Sequence, residues 1–227
     1  MWDSINVMTP RARTTKQAIS TIPVAGRSAG FNYAIRNIVA EAKKVEASGR
    51  SVRYLNIGDP ALFGFETPPH LIEAVERAMR SGNNGYYPGA GILEAREAVA
   101  AEFSSRGMST SPERVVLTAG ASEGIELALG VLVDRGDEVL VPSPTYPLYT
   151  ALLNKLGARA VFYRTDETQG WQPDVKHAAS LITAKTRALV VIDPNNPTGA
   201  VYTKENRHAL LEIAVQHNLV LLSDEGY

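Results

Sequence analysis

The segment of this sequence with the clearest capacity for chemistry is residues 193–199, Asp-Pro-Asn-Asn-Pro-Thr-Gly, which follows the apolar run 188–192. Its two prolines and its glycine are incompatible with a helix or a strand, so the chain must turn here. A turn at the end of a strand can hold an asparagine side chain at the carboxyl edge of a sheet, where open α/β sheets bind small ligands. An isolated Asn-Pro turn more often bonds only its own backbone. The other segments that follow apolar runs therefore decide between these two interpretations.

A second segment, residues 118–124 (Thr-Ala-Gly-Ala-Ser-Glu-Gly), joins an apolar run to a helical pattern. Gly120 and Ala121 are small enough for the backbone to approach a ligand, and the free N–H groups of a helix start favour an anion. Ser122 adds a hydroxyl group. Small residues at such a turn also allow close packing, so this segment by itself leaves both roles open. The chain has no Gly-x-x-x-x-Gly-Lys-Ser/Thr motif, which argues against a P-loop.

An aromatic residue and a carboxylate follow two further apolar runs. Tyr146 lies in Pro-Ser-Pro-Thr-Tyr-Pro, where the prolines would fix it for stacking on a planar heterocycle, unless it only packs over the end of the sheet. Asp224 is either half of an ion pair or an anion that keeps a ligand's ring nitrogen protonated, which makes a pyridine ring an electron sink. The four segments together, in this order, indicate a site for a phosphorylated aromatic cofactor.

The elements that must position these segments alternate along the chain. Short apolar runs without strict alternation predict strands buried on both faces of a mostly parallel sheet, at residues 115–117, 138–141, 160–162, 188–192 and 219–222, besides a short strand at 54–57. Helical periodicity predicts helices at residues 31–48, 69–80, 92–103, 122–133, 147–156, 175–182 and 204–217. We expect Thr203 to cap the last helix, and Leu71, Ile72, Val75 and Met79 to face inward. This order predicts an α/β fold with three layers, helix–sheet–helix.

Composition narrows the class of protein. The chain has 227 residues, a formal net charge of -1, no cysteine and four scattered histidines. A net charge this close to zero does not predict binding to nucleic acid or to a membrane surface. Without cysteine and without clustered histidines, neither a disulfide nor a metal site is expected. No apolar run is long enough to span a bilayer, so we expect a soluble, cytoplasmic protein. The basic N-terminal stretch faintly resembles a transit peptide, but a polar arm lying over the fold or a partner subunit is the preferred interpretation.

The order of these segments resembles that of the class I and II aminotransferases, which are pyridoxal 5′-phosphate enzymes of the aspartate aminotransferase fold. The resemblance runs from about residue 31 to the last residue, and its most specific parts are residues 195–199 and the Asp-x-x-Tyr element at 224–227. The resemblance implies that Gly120, Ala121 and Ser122 form a phosphate cradle and that Tyr146 stacks on the cofactor ring. It implies that Asn196 and Tyr227 bond the cofactor's phenolic oxygen and that Asp224 pairs with its ring nitrogen. It also implies that Tyr86 reaches the phosphate of a neighbouring subunit in a homodimer.

Within this family the chain is most similar to the alanine aminotransferase-like branch, through Tyr-Ala-Ile-Arg at 33–36 and Leu-Asn-Ile-Gly-Asp-Pro at 55–60. The resemblance implies that Gly58 helps to hold the substrate carboxylate and that Tyr33 and Arg36 lie near the substrate entrance. Residues 1–50 would form an arm and a helix that contribute to a small domain and to dimer contacts. Residues 51–227 would form the cofactor-binding large domain.

One departure from the family's pattern concerns the catalytic lysine. In the family, the lysine that forms the Schiff base follows the Asp-x-x-Tyr element. The lysines of this chain all precede that element, at positions 16, 43, 44, 155, 176, 185 and 204. The chain therefore resembles the N-terminal portion of an aminotransferase, with a large domain incomplete at its C-terminal end and without the C-terminal small domain.

The resemblance implies an enzyme that transfers an amino group from an amino acid, alanine or glutamate, to a 2-oxo acid. Two alternatives stay open. One is a pyridoxal-phosphate-dependent carbon–sulfur lyase on the same fold, and the other is a non-catalytic cofactor-binding fragment or regulatory module. A regulator would be expected to carry a DNA-binding extension, and residues 1–30 are too short and too poor in helical pattern to form one.

Overall fold

The computed structural model describes the backbone of residues 34–54 and 58–226, with side chains from Ile38 onward. The α-helices of these residues are α1 (Ala34–Ala47), α2 (Pro69–Arg80), α3 (Leu93–Ser105), α4 (Ala121–Leu132), α5 (Pro147–Leu156), α6 (Val175–Ser180) and α7 (Lys204–Gln216). The strands are β1 (Glu138–Ser143), β2 (Arg159–Asp166), β3 (Gln172–Pro173), β4 (Thr186–Ile192) and β5 (Val220–Asp224). The strand predicted at 54–57 falls mainly on residues outside the described part.

The strands form one sheet in the order β3-β2-β1-β4-β5. Strand β1 pairs in parallel with β2 and β4, and β4 pairs in parallel with β5, whereas the short β3 runs antiparallel to β2. The predicted mostly parallel sheet is therefore confirmed, and β3 is an addition that the sequence pattern did not predict. Parallel pairing places the ends of β1, β4 and β5 at the same edge, with Ile192 opposite Asp224.

The two faces of the sheet carry separate hydrophobic cores. Val139 and Val141 of β1 pack with α4 and α5 on one face, whereas Leu140 packs with α6 and α7 on the other. Alternate residues of β4 divide between the faces in the same way. Each fully buried aliphatic side chain of this kind stabilises the fold by about 1.5–3 kcal/mol. The predicted three-layer α/β architecture is confirmed, and double-sided burial explains why the strand sequences lack polar alternation.

The helices of the second half begin and end close to where the sequence predicts. Thr203 caps α7, because its hydroxyl oxygen accepts a hydrogen bond from the backbone N–H of Asn206 at 3.2 Å. Helix α5 has Pro147 at its first position and ends at Gly157, which has a φ of 75°. Proline at a helix start and glycine in the left-handed conformation after its end are common helix signals. In the described part of the chain, no helix combines the length and the hydropathy that crossing a bilayer requires.

The strand predicted at residues 115–117 is not formed. The segment is extended, but within the described part it pairs with no strand, and its one sheet-like contact is the Leu117 N–H donating to the carbonyl of Ala90 at 3.0 Å. Val116 and Leu117 are exposed. An apolar run becomes a strand only when a neighbouring strand satisfies its backbone groups, and none of the described residues forms such a neighbour beside this run.

Helix α2 forms as predicted, but its apolar face does not face a core. Leu71, Ile72, Val75 and Met79 recur at helical spacing, and each is 50–61% exposed. Ile38 and Val45 on α1 are exposed as well. The periodicity correctly predicts an amphipathic helix, whereas the burial of its face depends on a second surface, and no described element covers this one.

Candidate functional site

A cavity of about 240 Å³ opens at the carboxyl edge of the sheet. Four of the segments predicted from the sequence line it together, and they contribute Ala121, Ser122, Tyr146, Asn196, Asp224 and Gly226. These segments are separated by up to about a hundred residues in the sequence, so their meeting is a consequence of the parallel sheet. The structure thus brings together the predicted anion cradle, aromatic residue, amide and carboxylate.

A wider cleft of about 650 Å³ lies beside β3, away from these segments. Gln172, one of the polar side chains that line this cleft, is already held by three hydrogen bonds. Gln172 accepts hydrogen bonds from the backbone N–H of Thr203 at 2.9 Å and from the amide of Asn206 at 3.1 Å, and it donates to the carbonyl of Val201 at 3.0 Å. Because this network supports the β3 turn, the smaller cavity is the better candidate for chemistry.

The cradle is formed by the start of α4. Gly120 precedes the helix with φ 80° and ψ 168°, a conformation that essentially only glycine adopts. No described side chain caps the helix, and the N–H groups of its first turn have no partner within the helix. Glu123 instead reaches back to accept a hydrogen bond from the Ala119 N–H at 2.5 Å. The first-turn N–H groups near Ala121 and Ser122 are therefore available to an anion.

Tyr146 stands at the junction between β1 and α5. It is the residue before the first turn of α5, and it is partly buried against the core while it lines the cavity. The flanking prolines, Pro144 and Pro147, restrict the backbone on both sides. The ring packs on the end of the sheet and also lines the cavity, so stacking on a ligand stays a prediction that its position permits.

The two asparagines of the turn have different roles. Asn196 lines the cavity. Asn195 is buried, and its side-chain oxygen accepts hydrogen bonds from the hydroxyl of Thr198 at 2.8 Å and from the Thr198 N–H at 3.3 Å. Asn195 therefore bonds its own turn, which is one of the two interpretations of this segment. Asn196 lies at the cavity, where it is available to a ligand.

Asp224 is held by two donors. The phenol of Tyr149 donates a hydrogen bond to its Oδ2 at 2.8 Å, and the backbone N–H of Gly226 donates to its Oδ1 at 3.2 Å. Burial, followed by the neighbouring Asp224 carboxylate, raises the pKa of Tyr149, so the phenol remains protonated and acts as a donor. The carboxylate keeps lone pairs toward the cavity, where it can accept a hydrogen bond from a protonated ring nitrogen.

Tyr149 is the functional residue that sequence reasoning missed. It lies three residues after Tyr146, on the first turn of α5, and is 1% exposed. A tyrosine at this spacing behind a candidate aromatic would be a usable signal, because residues i and i+3 share a helix face. By itself, however, such a tyrosine is indistinguishable from an ordinary core residue.

Several other predicted site residues lie elsewhere. Tyr86 and Gly58 are exposed and do not line the cavity. Tyr33 and Tyr227 lie outside the described residues, and the side chain of Arg36 is not described. Within the part that the structure describes, no group of three or more histidine, aspartate or glutamate side chains is placed to hold a metal ion.

The chemistry of the cavity fits a planar, phosphorylated heteroaromatic molecule. Helix-start N–H groups suit a phosphate, Tyr146 offers an aromatic face, Asn196 offers an amide, and Asp224 offers a carboxylate to a ring nitrogen. These groups are provided by rigid strand ends and helix starts. The residues present thus fit pyridoxal 5′-phosphate.

Comparison with known proteins gives a consistent result. The family described as aminotransferase class I and II matches residues 51–227. The glutamate-pyruvate aminotransferase AlaA of Escherichia coli K12 is 41% identical over 211 residues, which cover 92% of this chain and 52% of that protein. An alanine aminotransferase of Mycobacterium bovis is 46% identical over 200 residues, which cover 86% of this chain and 46% of that protein.

Solved structures agree with the sequence relatives. An alanine aminotransferase from Pyrococcus furiosus superposes with a TM-score of 0.85 at 41% identity, covering 89% of this chain and 52% of that chain. A mutant of the aspartate aminotransferase of Thermus thermophilus gives a TM-score of 0.83 at 37% identity, covering 90% of this chain and 53% of that one. The chain spans about half the length of the relatives it matches.

Proposed function

Because this chain belongs to the class I and II aminotransferases, a family that uses pyridoxal 5′-phosphate, we propose that the cavity at the carboxyl edge of its sheet binds this cofactor. We further propose that the polypeptide transfers an amino group from an amino acid, alanine or glutamate, to a 2-oxo acid. The relatives named as alanine or glutamate-pyruvate aminotransferases support this choice of substrates.

The observation that carries the proposal is the meeting of four separate segments around one cavity. Gly120, Ala121 and Ser122 would hold the phosphate through the start of α4, and Tyr146 would stack on the ring. Asn196 would donate to the phenolic oxygen, and Asp224 would pair with the ring nitrogen. When bound, the cofactor supplies an electron sink for charge that develops on the substrate.

The residues of this chain would set the protonation and orientation of the ligand. Asp224 is fixed by Tyr149 and Gly226, so its carboxylate would face the ring nitrogen of a bound cofactor in a constant orientation and would keep a proton on that atom. The amide of Asn196 would stabilise negative charge on the phenolic oxygen. Tyr146 and Asn196 are partly buried, so they would limit the access of water to a ring bound between them.

The remaining roles are proposed from the family resemblance. Tyr227 would share the phenolic oxygen with Asn196, and Gly58, Tyr33 and Arg36 would contact or border the substrate. Tyr86 would reach the phosphate of a second subunit in a homodimer, which agrees with its full exposure. We also propose that residues 1–50 form an arm and a helix distinct from the large domain of residues 51–227, and that the protein is cytoplasmic.

The position of the lysine that forms the Schiff base in this family needs a proposal of its own. None of the lysines in the described part of the chain lines the cavity. In agreement with the resemblance, we propose that the covalent bond to the cofactor is made by a lysine that follows the Asp-x-x-Tyr element in the whole protein.

The test uses the complete polypeptide that carries this sequence, loaded with pyridoxal 5′-phosphate. We expect alanine and 2-oxoglutarate to give pyruvate and glutamate in equal amounts, and no more than one pyruvate per cofactor when the oxo acid is omitted, because the amino group then stays on the cofactor. Continued release of pyruvate from a sulfur-containing amino acid, far beyond one equivalent per cofactor and without an oxo acid, would instead indicate the lyase. Binding of the cofactor without turnover of any amino acid would indicate the regulatory module and contradict the proposed activity.

A further inference from the structure

Asp193 is a buried acidic residue at the start of the turn that carries Asn196, and it does not itself line the cavity. Its side chain is 6% exposed, so its charge is almost fully removed from water. Burying a charge costs free energy unless hydrogen bonds and an opposite charge compensate it. The partners of this carboxylate therefore indicate what it does.

One oxygen of the Asp193 carboxylate holds the backbone where the chain leaves the turn. The backbone N–H of Tyr202 donates to the Oδ1 of Asp193 at 3.0 Å. Tyr202 is 1% exposed, so water cannot replace this acceptor without a local opening of the fold. The side chain of the first residue of the turn thus fixes the segment that follows the turn.

Backbone hydrogen bonds close the turn between these two points. The N–H of Asn195 donates to the carbonyl of Ala200 at 2.8 Å, and the N–H of Gly199 donates to the carbonyl of Asn195 at 2.7 Å. Asn196 lies between these bonded positions. Its place therefore follows that of the base of the turn, which starts at Asp193.

The backbone of Asp193 ties the same base to the strand end that carries Asp224. The N–H of Asp193 donates to the carbonyl of Asp224 at 3.0 Å, next to the parallel pairing of β4 with β5. The second carboxylate oxygen, Oδ2, accepts from Arg207 of α7 at 3.2 Å. The Arg207 side chain is 52% exposed, so it supplies the compensating charge from the surface. Asp193 thus joins the end of β5, the start of the turn and the exit of the turn.

A second buried carboxylate, that of Glu138, shows what sets Asp193 apart. The Glu138 side chain is also 6% exposed and also pairs with one arginine. Its other side-chain partner is the hydroxyl of Thr183, at the opposite edge of the sheet. Asp193 instead contacts backbone of the two segments that carry Asn196 and Asp224.

We propose that Asp193 is a positioning residue for the cofactor site, because its carboxylate sets the place of the Asn196 amide relative to Asp224. The carboxylate holds the exit of the turn, and the N–H of the same residue holds the end of β5. This inference rests on the proposed function, since it takes Asn196 and Asp224 as partners of the cofactor. It assigns a role in binding to a residue that does not line the cavity.

Three variants of Asp193 separate its hydrogen bonds from its shape. Asp193→Ala removes both acceptors, whereas the amide oxygen of Asp193→Asn can still accept from the Tyr202 N–H while the half-exposed Arg207 turns to solvent. Asp193→Leu keeps the branched shape without an acceptor, and it takes the place of Asp193→Ala if that variant does not fold. Glu138→Ala is the matched control, because it removes a carboxylate of equal burial at the opposite edge of the sheet.

The first test measures amide hydrogen exchange by mass spectrometry in the cofactor-free complete polypeptide that carries this sequence. In Asp193→Ala, a peptide that covers residues 195–202 should exchange about tenfold faster than in wild type, because a hydrogen bond to a charged group is lost. Asp193→Asn should stay within about twofold of wild type, since one acceptor is kept. If this peptide exchanges no faster in Asp193→Ala than in Glu138→Ala, the carboxylate does not hold the turn and the inference is wrong.

The second test is a binding cycle on the same polypeptide with pyridoxamine 5′-phosphate, which binds without a lysine. Asp193→Ala should weaken binding about fivefold, whereas Asp193→Asn and Glu138→Ala should stay within about twofold of wild type. In an Asn196→Ala background, Asp193→Ala should have less than about a twofold further effect, since it acts through Asn196. The absorption maximum of the bound cofactor should move in the same direction in Asp193→Ala and in Asn196→Ala, and it should not move in Glu138→Ala.

The outcomes separate this inference from the proposed function. If wild type binds the cofactor and Asp193→Ala binds it equally well, or is weakened equally in both backgrounds, the inference is overturned and the proposed function still stands. Failure of the folded wild-type polypeptide to bind pyridoxamine 5′-phosphate would overturn the proposed site, and the inference with it.

Discussion

At the scale of single residues, the site depends on side chains that hold other side chains. Asp224 lines the cavity, but its orientation is set by Tyr149 from within the core and by Gly226 from the chain that follows. The polar residues near the cavity thus divide into those that can contact a ligand and those that fix the first group.

Replacing Tyr149 with phenylalanine should weaken the binding of pyridoxamine 5′-phosphate by about tenfold. The change removes the donor to Asp224, and a hydrogen bond to a charged group contributes about 1.5–3 kcal/mol. A fluorescence titration gives the dissociation constant. Thr183→Val is a matched control, because it removes another 2.8 Å hydroxyl–carboxylate hydrogen bond, to Glu138 at the opposite edge of the sheet. Equal affinity of Tyr149→Phe and wild type would show that Asp224 does not need this donor.

The sequence allowed the residues that line the cavity to be predicted better than those behind them. Ala121, Ser122, Tyr146, Asn196 and Asp224 follow strands at recognisable turns, and all of them line the cavity. Tyr149 could not be assigned in this way, because a buried tyrosine in a helical pattern is consistent with simple packing. Its role becomes visible only when its partner across the fold, Asp224, is known.

At the scale of elements, the start of α4 is the part of the site most sensitive to backbone conformation. Gly120→Ala should destabilise the chain by about 1–3 kcal/mol, because φ 80° with ψ 168° is essentially restricted to glycine. It should also weaken the competition of inorganic phosphate with the cofactor. Gly130→Ala, inside the same helix with open space around its Cβ position, should stabilise the chain by about 0.5–1 kcal/mol. Thermal unfolding measures both changes, and equal shifts in the two variants would contradict the role given to Gly120.

Helices and strands were predictable where the sequence pattern of the element is matched by a neighbouring element that packs against it. Helices α5 and α7 and the parallel strands have both, and their positions were predicted to within a few residues. Residues 115–117 have the composition of a strand but no ladder partner in the described part, and helix α2 has an apolar face without a cover. The two-residue β3 is too short to leave a periodic signal.

At the scale of the whole molecule, the two sheet edges have different roles. The cavity opens at the carboxyl edge, whereas a buried carboxylate, that of Glu138, lies at the amino edge. Glu138 accepts hydrogen bonds from Arg159 and from Thr183, which together lower its pKa below the usual 4.5. A lowered pKa in the folded state stabilises the fold above the unfolded-state value, and this stabilisation is lost as the pH falls through the folded-state value.

Thr183→Val should therefore lower the unfolding temperature at neutral pH, and the difference from wild type should shrink as the pH falls through the lowered pKa of Glu138, below the usual 4.5. The physical reason is that protonation of Glu138 removes the charge that both hydrogen bonds stabilise. Thermal unfolding monitored by circular dichroism from pH 7 to pH 3 tests this expectation. A difference that stays constant across this range would mean that the hydroxyl contributes through packing and not through the carboxylate.

The central claim is that the cavity of this chain binds pyridoxal-type cofactors, and its most direct test is an equilibrium titration of the folded chain with pyridoxamine 5′-phosphate. The structure predicts saturable binding at one site per cavity, competition by inorganic phosphate, and affinity at least about tenfold weaker in Asp224→Asn, because the charge opposite the ring nitrogen is lost. Binding that does not saturate, or that is equally tight in Asp224→Asn, would contradict the claim.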